Sequence, residues 1–301
     1  DRLKNLKLAA VCLSCLTMTG CSALNFSVEG LINAPKLTSE QSEIHQALIE
    51  SVGSNITLKY PKNGEYRSAY VIANIDDEPT DEAMVFYEYT SNGSEEDGLR
   101  VNILDKDEDG KWYSVKELAG AGTDIDQVII SPMGSNNQTD VFVGYQNLTN
   151  DEKTMEIYSY TDGDFKRVAL DTYSVLEPLD INNDGYIELI TIQRSTNNDT
   201  GAVTAKASML NMKNNEITRG ENVDMCDNVT SYVSSKTGML DSGRRAIFID
   251  GLTADGKLQT EIIYYRYSGL QNPMQLRSEK LLPLCTRPAG YYSEDMDGDG
   301  D

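Results

Sequence analysis

The chain has 301 residues and carries 48 Asp and Glu against 26 Lys and Arg, a formal charge of −22 with its single histidine neutral. That balance argues against nucleic acid or an anionic membrane surface as partner, because phosphate binding needs clustered Lys and Arg, and it suits a chain that holds cations. One histidine, His45, excludes sites built on two imidazoles, and no G-x-S-x-G, P-loop or G-x-G-x-x-G stretch occurs. Length alone allows two ordinary domains or one large β domain.

The amino terminus reads as a targeting segment. In "DRLKNLKLAAVCLSCLTMTGCSAL", Arg2, Lys4 and Lys7 precede an apolar stretch from Leu8 to about Leu16. That stretch is shorter than the roughly 20 residues a membrane span needs. Met18-Thr19-Gly20-Cys21 resembles the lipobox of bacterial lipoproteins. The resemblance implies a signal peptide over 1–20, lipidation of Cys21, and a protein held by its lipid at the bacterial cell surface, outside the cytoplasm. An ordinary secretory signal with an incidental cysteine is the plainer alternative. Loss of residues 1–20, three basic and one acidic, leaves a charge of −24. Cys12 and Cys15 leave with that segment. Cys226 and Cys285 remain, either paired in an oxidising compartment or buried as separate thiols.

Residues 21–37 read as the lipid-anchored tether, and 38–65 as a helix and connector. In "LTSEQSEIHQALIESVG" (37–53), Thr38 and Gln41 form a capping box, Glu40 suits the positive end, and Gly53 ends the helix. Ile44, Leu48 and Ile49 make its apolar stripe. His45 has no second histidine or cysteine beside it and reads as a surface or packing residue.

From residue 66 the helical period gives way to short β segments separated by Gly, Asn and Asp. "LDINNDGYIELI" (179–190) opens like an EF-hand, with Asp180, Asn182 and Asp184 two apart and then Gly185. An EF-hand closes with Glu at position twelve and exits into a helix. Here position twelve is Thr191 and "YIELITIQ" reads as a strand, so the EF-hand is excluded. What remains is a nine-residue loop with side chains of Asp180, Asn182, Asp184 and Glu188 and the carbonyl of Tyr186 as oxygen ligands. The same register places Asn74, Asp76, Glu78 and Glu82 in a second loop, Asn136 and Asp140 in a third, and Asp241 with Arg245 in a fourth. Asp295, Asp297, Asp299 and Asp301 begin a fifth. These loops start at 74, 132, 180, 237 and 295, and each of the first four precedes an apolar run: "AMVFYEY", "VFVGY", "LITIQ", "AIFID". Further extended pairs turn at Asp109-Gly110, Asp162-Gly163 and Asn214-Asn215, dipeptides that tolerate positive φ.

A repeated D-x-D-x-D-G-x-x-[DE] loop followed by a strand resembles the FG-GAP/VCBS repeat of integrin-type propellers, over residues 66–301. The resemblance implies a mostly β fold: a β-propeller of four-stranded blades, about four of them plus the start of a fifth, preceded by one short α-helix. The rival is a two-layer β-sandwich. Because the fifth loop stops before its ninth position, the chain reads as a fragment cut at its carboxyl end.

The resemblance implies structural Ca2+ at Asp180, Asn182, Asp184, Tyr186 and Glu188, and at the corresponding residues of the 74 and 295 loops. An acidic turn without an ion is an even alternative for 74–82. It is the preferred reading for 132–140 and for 237–245, where the charge of Arg245 stands in for a cation. "DKDEDGKWY" (105–113) matches in part, but position nine is Tyr113, and it reads as a solvated hairpin turn.

The expected function is a monomeric extracellular binding or scaffold module for protein or glycan, not an enzyme. The alternative is a polysaccharide-active enzyme of lyase type, using Tyr with Lys or Arg. A structural envelope lipoprotein without a discrete ligand is a third reading. The Tyr-rich runs "FYEY", "IYSY" and "YYRY" read as sheet packing.

Overall fold

The computed structural model describes residues 37–90, 98–132, 139–147, 152–197, 199–213, 216–227, 229–240, 243–254, 256–273 and 286–288. The signal segment, Cys21, the tether through 36, Asn136, Asn214-Asn215, Asp241, Cys285, Asp295, Asp297, Asp299 and Asp301 lie outside the described residues. Contacts divide the chain into two compact units, Asp1–Glu43 and Ile44–Asp301. Among the described residues no helix is long and apolar enough to cross a membrane.

Helix α1 (Ser39–Val52) begins with the expected reciprocal cap. Gln41 N donates to Thr38 Oγ1 and Thr38 N to Gln41 Oε1, both at 3.1 Å, which satisfies two donors that a helix start leaves open. Gly53 follows at φ 84°, where a side chain would be strained. Ile44, Ala47 and Leu48 are buried against Tyr70, Val85, Tyr87 and Trp112. His45 packs its ring edge-on to Tyr70, whose hydroxyl lies 2.8 Å from Nδ1.

The rest of the described chain is mostly β and forms four antiparallel sheets in sequence order. The first has β1 (Ile56–Leu58) and β2 (Tyr70–Ala73) on successive halves of β3 (Glu82–Tyr89), then β4 (Leu99–Lys106) and β5 (Trp112–Ala119). The second runs β6 (Asp124–Pro132), β7 (Thr139–Gln146), β8 (Lys153–Thr161), β9 (Asp164–Tyr173). The third runs β10 (Val175–Leu179), β11 (Glu188–Thr196), β12 (Val203–Lys213), β13 (Glu216–Asp224). The fourth runs β14 (Val229–Leu240), β15 (Arg244–Thr253), β16 (Lys257–Arg266), β17 (Gly269–Gln271), with β18 (Thr286–Pro288) also on β16. One strand, β1, comes from the segment read as connector.

The second strand of each sheet is an apolar run because it is covered on both faces. On β7, Val141, Val143 and Tyr145 join a core shared with the first sheet, while Phe142 joins one shared with the third. Ile190 and Ile192 of β11 meet Ile247 and Ile249 of β15 in the next core. The β8–β9 hairpin turns on Asp162 and Gly163 at φ 54° and 73°, both left-handed, as a two-residue hairpin of this kind requires. Tyr87, Tyr145, Tyr158 and Tyr173 are fully buried, so these tyrosines are packing residues.

One buried strap crosses the whole second sheet. Tyr173, on β9, sends its hydroxyl 2.6 Å from Asp126 Oδ2 on β6. Lys153, on β8, lies over the Tyr173 ring at 5.6 Å and pairs with Asp126 Oδ1 at 2.8 Å. Gly144, on β7, leaves room for the strap: a Cβ there would overlap the Tyr173 hydroxyl. Burial, with Asp126 beside it, pushes the Tyr173 phenol well above its usual range.

Candidate metal centre and cavity

The 74 and 180 registers lie in the β2–β3 and β10–β11 links. In the β10–β11 link, Asn183 (φ 60°) and Gly185 (φ 93°) turn the backbone so that its N–H groups point inward. Asp180 Oδ1 accepts from Asp184 N at 3.0 Å and Oδ2 from Gly185 N at 3.2 Å. Asp184 Oδ1 accepts from Tyr186 N at 2.9 Å, and Glu188 Oε2 from Ile181 N at 3.0 Å. These bonds aim the side chains at one point. Ligand atoms of Asp180, Asp184 and Glu188 all lie within 4.8 Å of one another. Asn182 Nδ2 donates to Asp184 Oδ2 and Glu188 Oε1, both at 2.9 Å, and so bridges these two carboxylates. Burial, with Asp184 and Asp180 nearby, raises the Glu188 carboxyl above its ordinary range. The side chain of Tyr186 is exposed and takes no part.

The β2–β3 link repeats part of this pattern. Ile75 N donates to Glu82 Oε2 at 2.8 Å and Glu78 N to Asp76 Oδ1 at 2.7 Å, at the same loop positions as Ile181 to Glu188 and Asp184 to Asn182. Asn74 is engaged elsewhere, donating to Glu78 O. Glu82 is 3% exposed and its Oε1 has no partner. Burial, with Asp76 and Asp105 adding repulsion, pushes it up to about 7. Among the described residues only Asp180, Asp184 and Glu188 bring three acidic ligands together, so Asn74, Asp76, Glu78 and Glu82 do not form an equivalent trio. The approach of Asp105, from β4, was not visible in the loop register.

In the other registers only the flanking residues lie among those described. Asp140 begins the buried part of β7 and accepts from Ser159 Oγ. In the fourth sheet, Thr237–Leu240 belong to β14 and pair with β15, leaving only 241–243 between strands. The Arg245 guanidinium reaches back to the preceding sheet, 3.0 Å from both Asp180 Oδ2 and Asp180 O. Within the 105–113 stretch, 107–111 form an exposed turn between β4 and β5 in which Asp107 Oδ1 accepts from Asp109 N and Lys111 N.

A cavity of about 570 Å³ opens beside β6, β10 and β14, walled by the 63–66 segment. Its charged lining residues are Glu65, Asp126, Lys153 and Glu177. Cys226 carries a free thiol, pushed up to about 12 by burial and by the neighbouring Glu261.

No protein-family model matches the chain, and no curated protein matches it. Among solved structures, one similar chain is assigned as an exo-beta-1,3-galactanase from Bifidobacterium bifidum s17. It is 12% identical, with 72% of this chain and 75% of that chain covered and a TM-score of 0.26. Likeness at that level carries no argument about activity.

Proposed function

We propose that the chain is a calcium-stabilised binding module of the β-propeller class, lipid-anchored at the bacterial surface through Cys21 and presenting a protein or glycan ligand site. The observation that carries the metal reading is the convergence of Asp180, Asp184 and Glu188 within 4.8 Å. Two carboxylates about 4 Å apart repel by roughly 1 kcal/mol in water and about 4 kcal/mol at intermediate dielectric. Three held together by backbone donors therefore favour a cation at their centre. Calcium fits a set of mixed carboxylate, amide and carbonyl oxygens better than magnesium, which keeps its waters. The ion pins the β10–β11 link and has a structural role. Four sequence-ordered antiparallel sheets of four or five strands, sharing their apolar faces, support the propeller class over a two-layer sandwich.

The cavity bears on the lyase alternative, because it contains Tyr66 and Lys153. Lys153, however, is committed to Asp126 at 2.8 Å, and Glu65 and Glu177 add negative charge that repels an acidic polysaccharide. That charge balance favours a binding module.

The test is thermal unfolding after chelation and again with calcium. At free calcium about 100 times Kd the gain is expected to be about 2.7 kcal/mol per site, and Asp184→Ala should abolish it. A wild-type melting temperature that ignores both treatments overturns the metal reading. Arg245 refines the same experiment. Its charge lies 3.0 Å from a ligand oxygen and opposes a divalent ion, so Arg245→Gln is expected to tighten calcium binding by roughly ten-fold, as read by titration at low salt. Unchanged or weaker binding would mean that the guanidinium serves only to hold Asp180 in place.

A further inference from the structure

The cavity beside β6, β10 and β14 carries more acidic than basic side chains among its described lining residues. Each of these three strands is the first of its sheet and is hydrogen-bonded within a sheet on one side only. An edge of this kind presents unpaired backbone polar groups. Part of the β6 edge is covered, since Lys62 N donates to Ile125 O at 3.2 Å and Asn63 N to Asp126 O at 2.7 Å. Gln127 Nε2 covers Leu176 O of β10 at 3.1 Å.

The charges are unevenly matched. Among the described residues Lys153 is the only cation lining the cavity, and it pairs with Asp126 at 2.8 Å. Asp126 also accepts from Tyr173 at 2.6 Å and from Asn63 Nδ2 at 2.8 Å, so its oxygens are fully engaged. Glu177, on β10, accepts one hydrogen bond from the Ser235 hydroxyl and has no ion-pair partner among the described residues. Burial raises its carboxyl above the ordinary range even though Ser235 and the nearby Lys153 charge favour the ionised form. Glu65 adds a second acid at the exposed side.

The geometry points to an amino-sugar site: we infer that the cavity takes a glycan unit bearing a protonated amine, with the ammonium on Glu177 and sugar hydroxyls on the open strand edges. An ammonium supplies three donors and one positive charge, which is what Glu177 lacks. Hydroxyls both donate and accept, as unpaired backbone edges require, and Tyr66 gives the cavity a flat aromatic wall. The volume lies within the range of ligand pockets, roughly 300–1,000 Å³. This inference rests on the binding-module reading and names a ligand class for it. A uronic acid would meet net negative charge in the same place.

The experiment is calorimetric titration of the whole chain, at 0.15 M salt with calcium present, using the β-1,4-linked glucosamine disaccharide and its N-acetylated counterpart. The amine form is expected to bind at least ten-fold tighter than the acetylated form. Glu177→Gln, which keeps the side-chain shape, should remove that preference while leaving the melting temperature equal or higher. Glu108→Gln, an exposed turn residue, changes the net charge equally and should leave binding unaltered. Equal binding of the two sugars, absence of binding, or equal weakening by both variants would overturn the assignment. Calcium-dependent melting is read separately, so the metal centre stands or falls independently of the sugar result.

Discussion

Asp126→Ala is expected to destabilise the fold by about 3–5 kcal/mol, the usual cost of removing one partner from a buried ion pair. Asp126 has no solvent exposure and three partners: the Tyr173 hydroxyl, Asn63 Nδ2 and Lys153 Nζ. Truncation leaves the Lys153 charge without its counter-ion and the Tyr173 hydroxyl without an acceptor in a closed core. It also cuts the link between β6 and the 63–66 segment. Asp126→Asn keeps the shape and an acceptor for Tyr173, and should cost less than half as much. Urea unfolding of the two variants measures both. A change below 1 kcal/mol for Asp126→Ala would show that the strap contributes nothing to the sheet.

The same residues mark how far the sequence could be read. Local chemistry was legible. The Thr38–Gln41 cap, the Asp162-Gly163 turn and the converging Asp180, Asp184 and Glu188 each join residues only a few positions apart, so spacing alone brings them out. Strand order followed from apolar runs and turn dipeptides. The strap, the Arg245–Asp180 contact and the Glu177–Ser235 contact join residues 47, 65 and 58 positions apart. No local period encodes them, because they arise only when sheets pack. The partner of Arg245 is a related case. The β14–β15 ladder continues through Leu240 and Arg244, and Arg245 reaches Asp180 of the preceding sheet. Strand β1 escaped notice because three residues, Ile56–Leu58, are too few to show an alternation.

Gly144→Ala should be the second large effect, about 3 kcal/mol, although alanine in a strand is ordinarily favoured over glycine by roughly 0.5–1 kcal/mol. The backbone there is not left-handed, so the cost comes from space alone. An added Cβ would overlap the Tyr173 hydroxyl and lie 3.1 Å from its Cζ and 3.5 Å from Asp126 Cβ. Tyr173 cannot easily give way, being fully buried and packed edge-on against Phe142 at 6.1 Å. Moving it breaks its bond to Asp126 and shifts the Lys153 that lies over its ring. Tyr173→Phe removes the clashing oxygen at a cost of about 1–2 kcal/mol for the lost hydrogen bond. The double variant should therefore be more stable than Gly144→Ala alone, with a coupling of at least 1 kcal/mol in a double-mutant cycle. Additivity within 0.5 kcal/mol would mean that ring and glycine are not in contact. Asp126 and Lys153 also wall the cavity, so the strap that stabilises the second sheet fixes the charges beside Glu177. A variant that displaces it should weaken amine binding even though Gly144 is not among the lining residues.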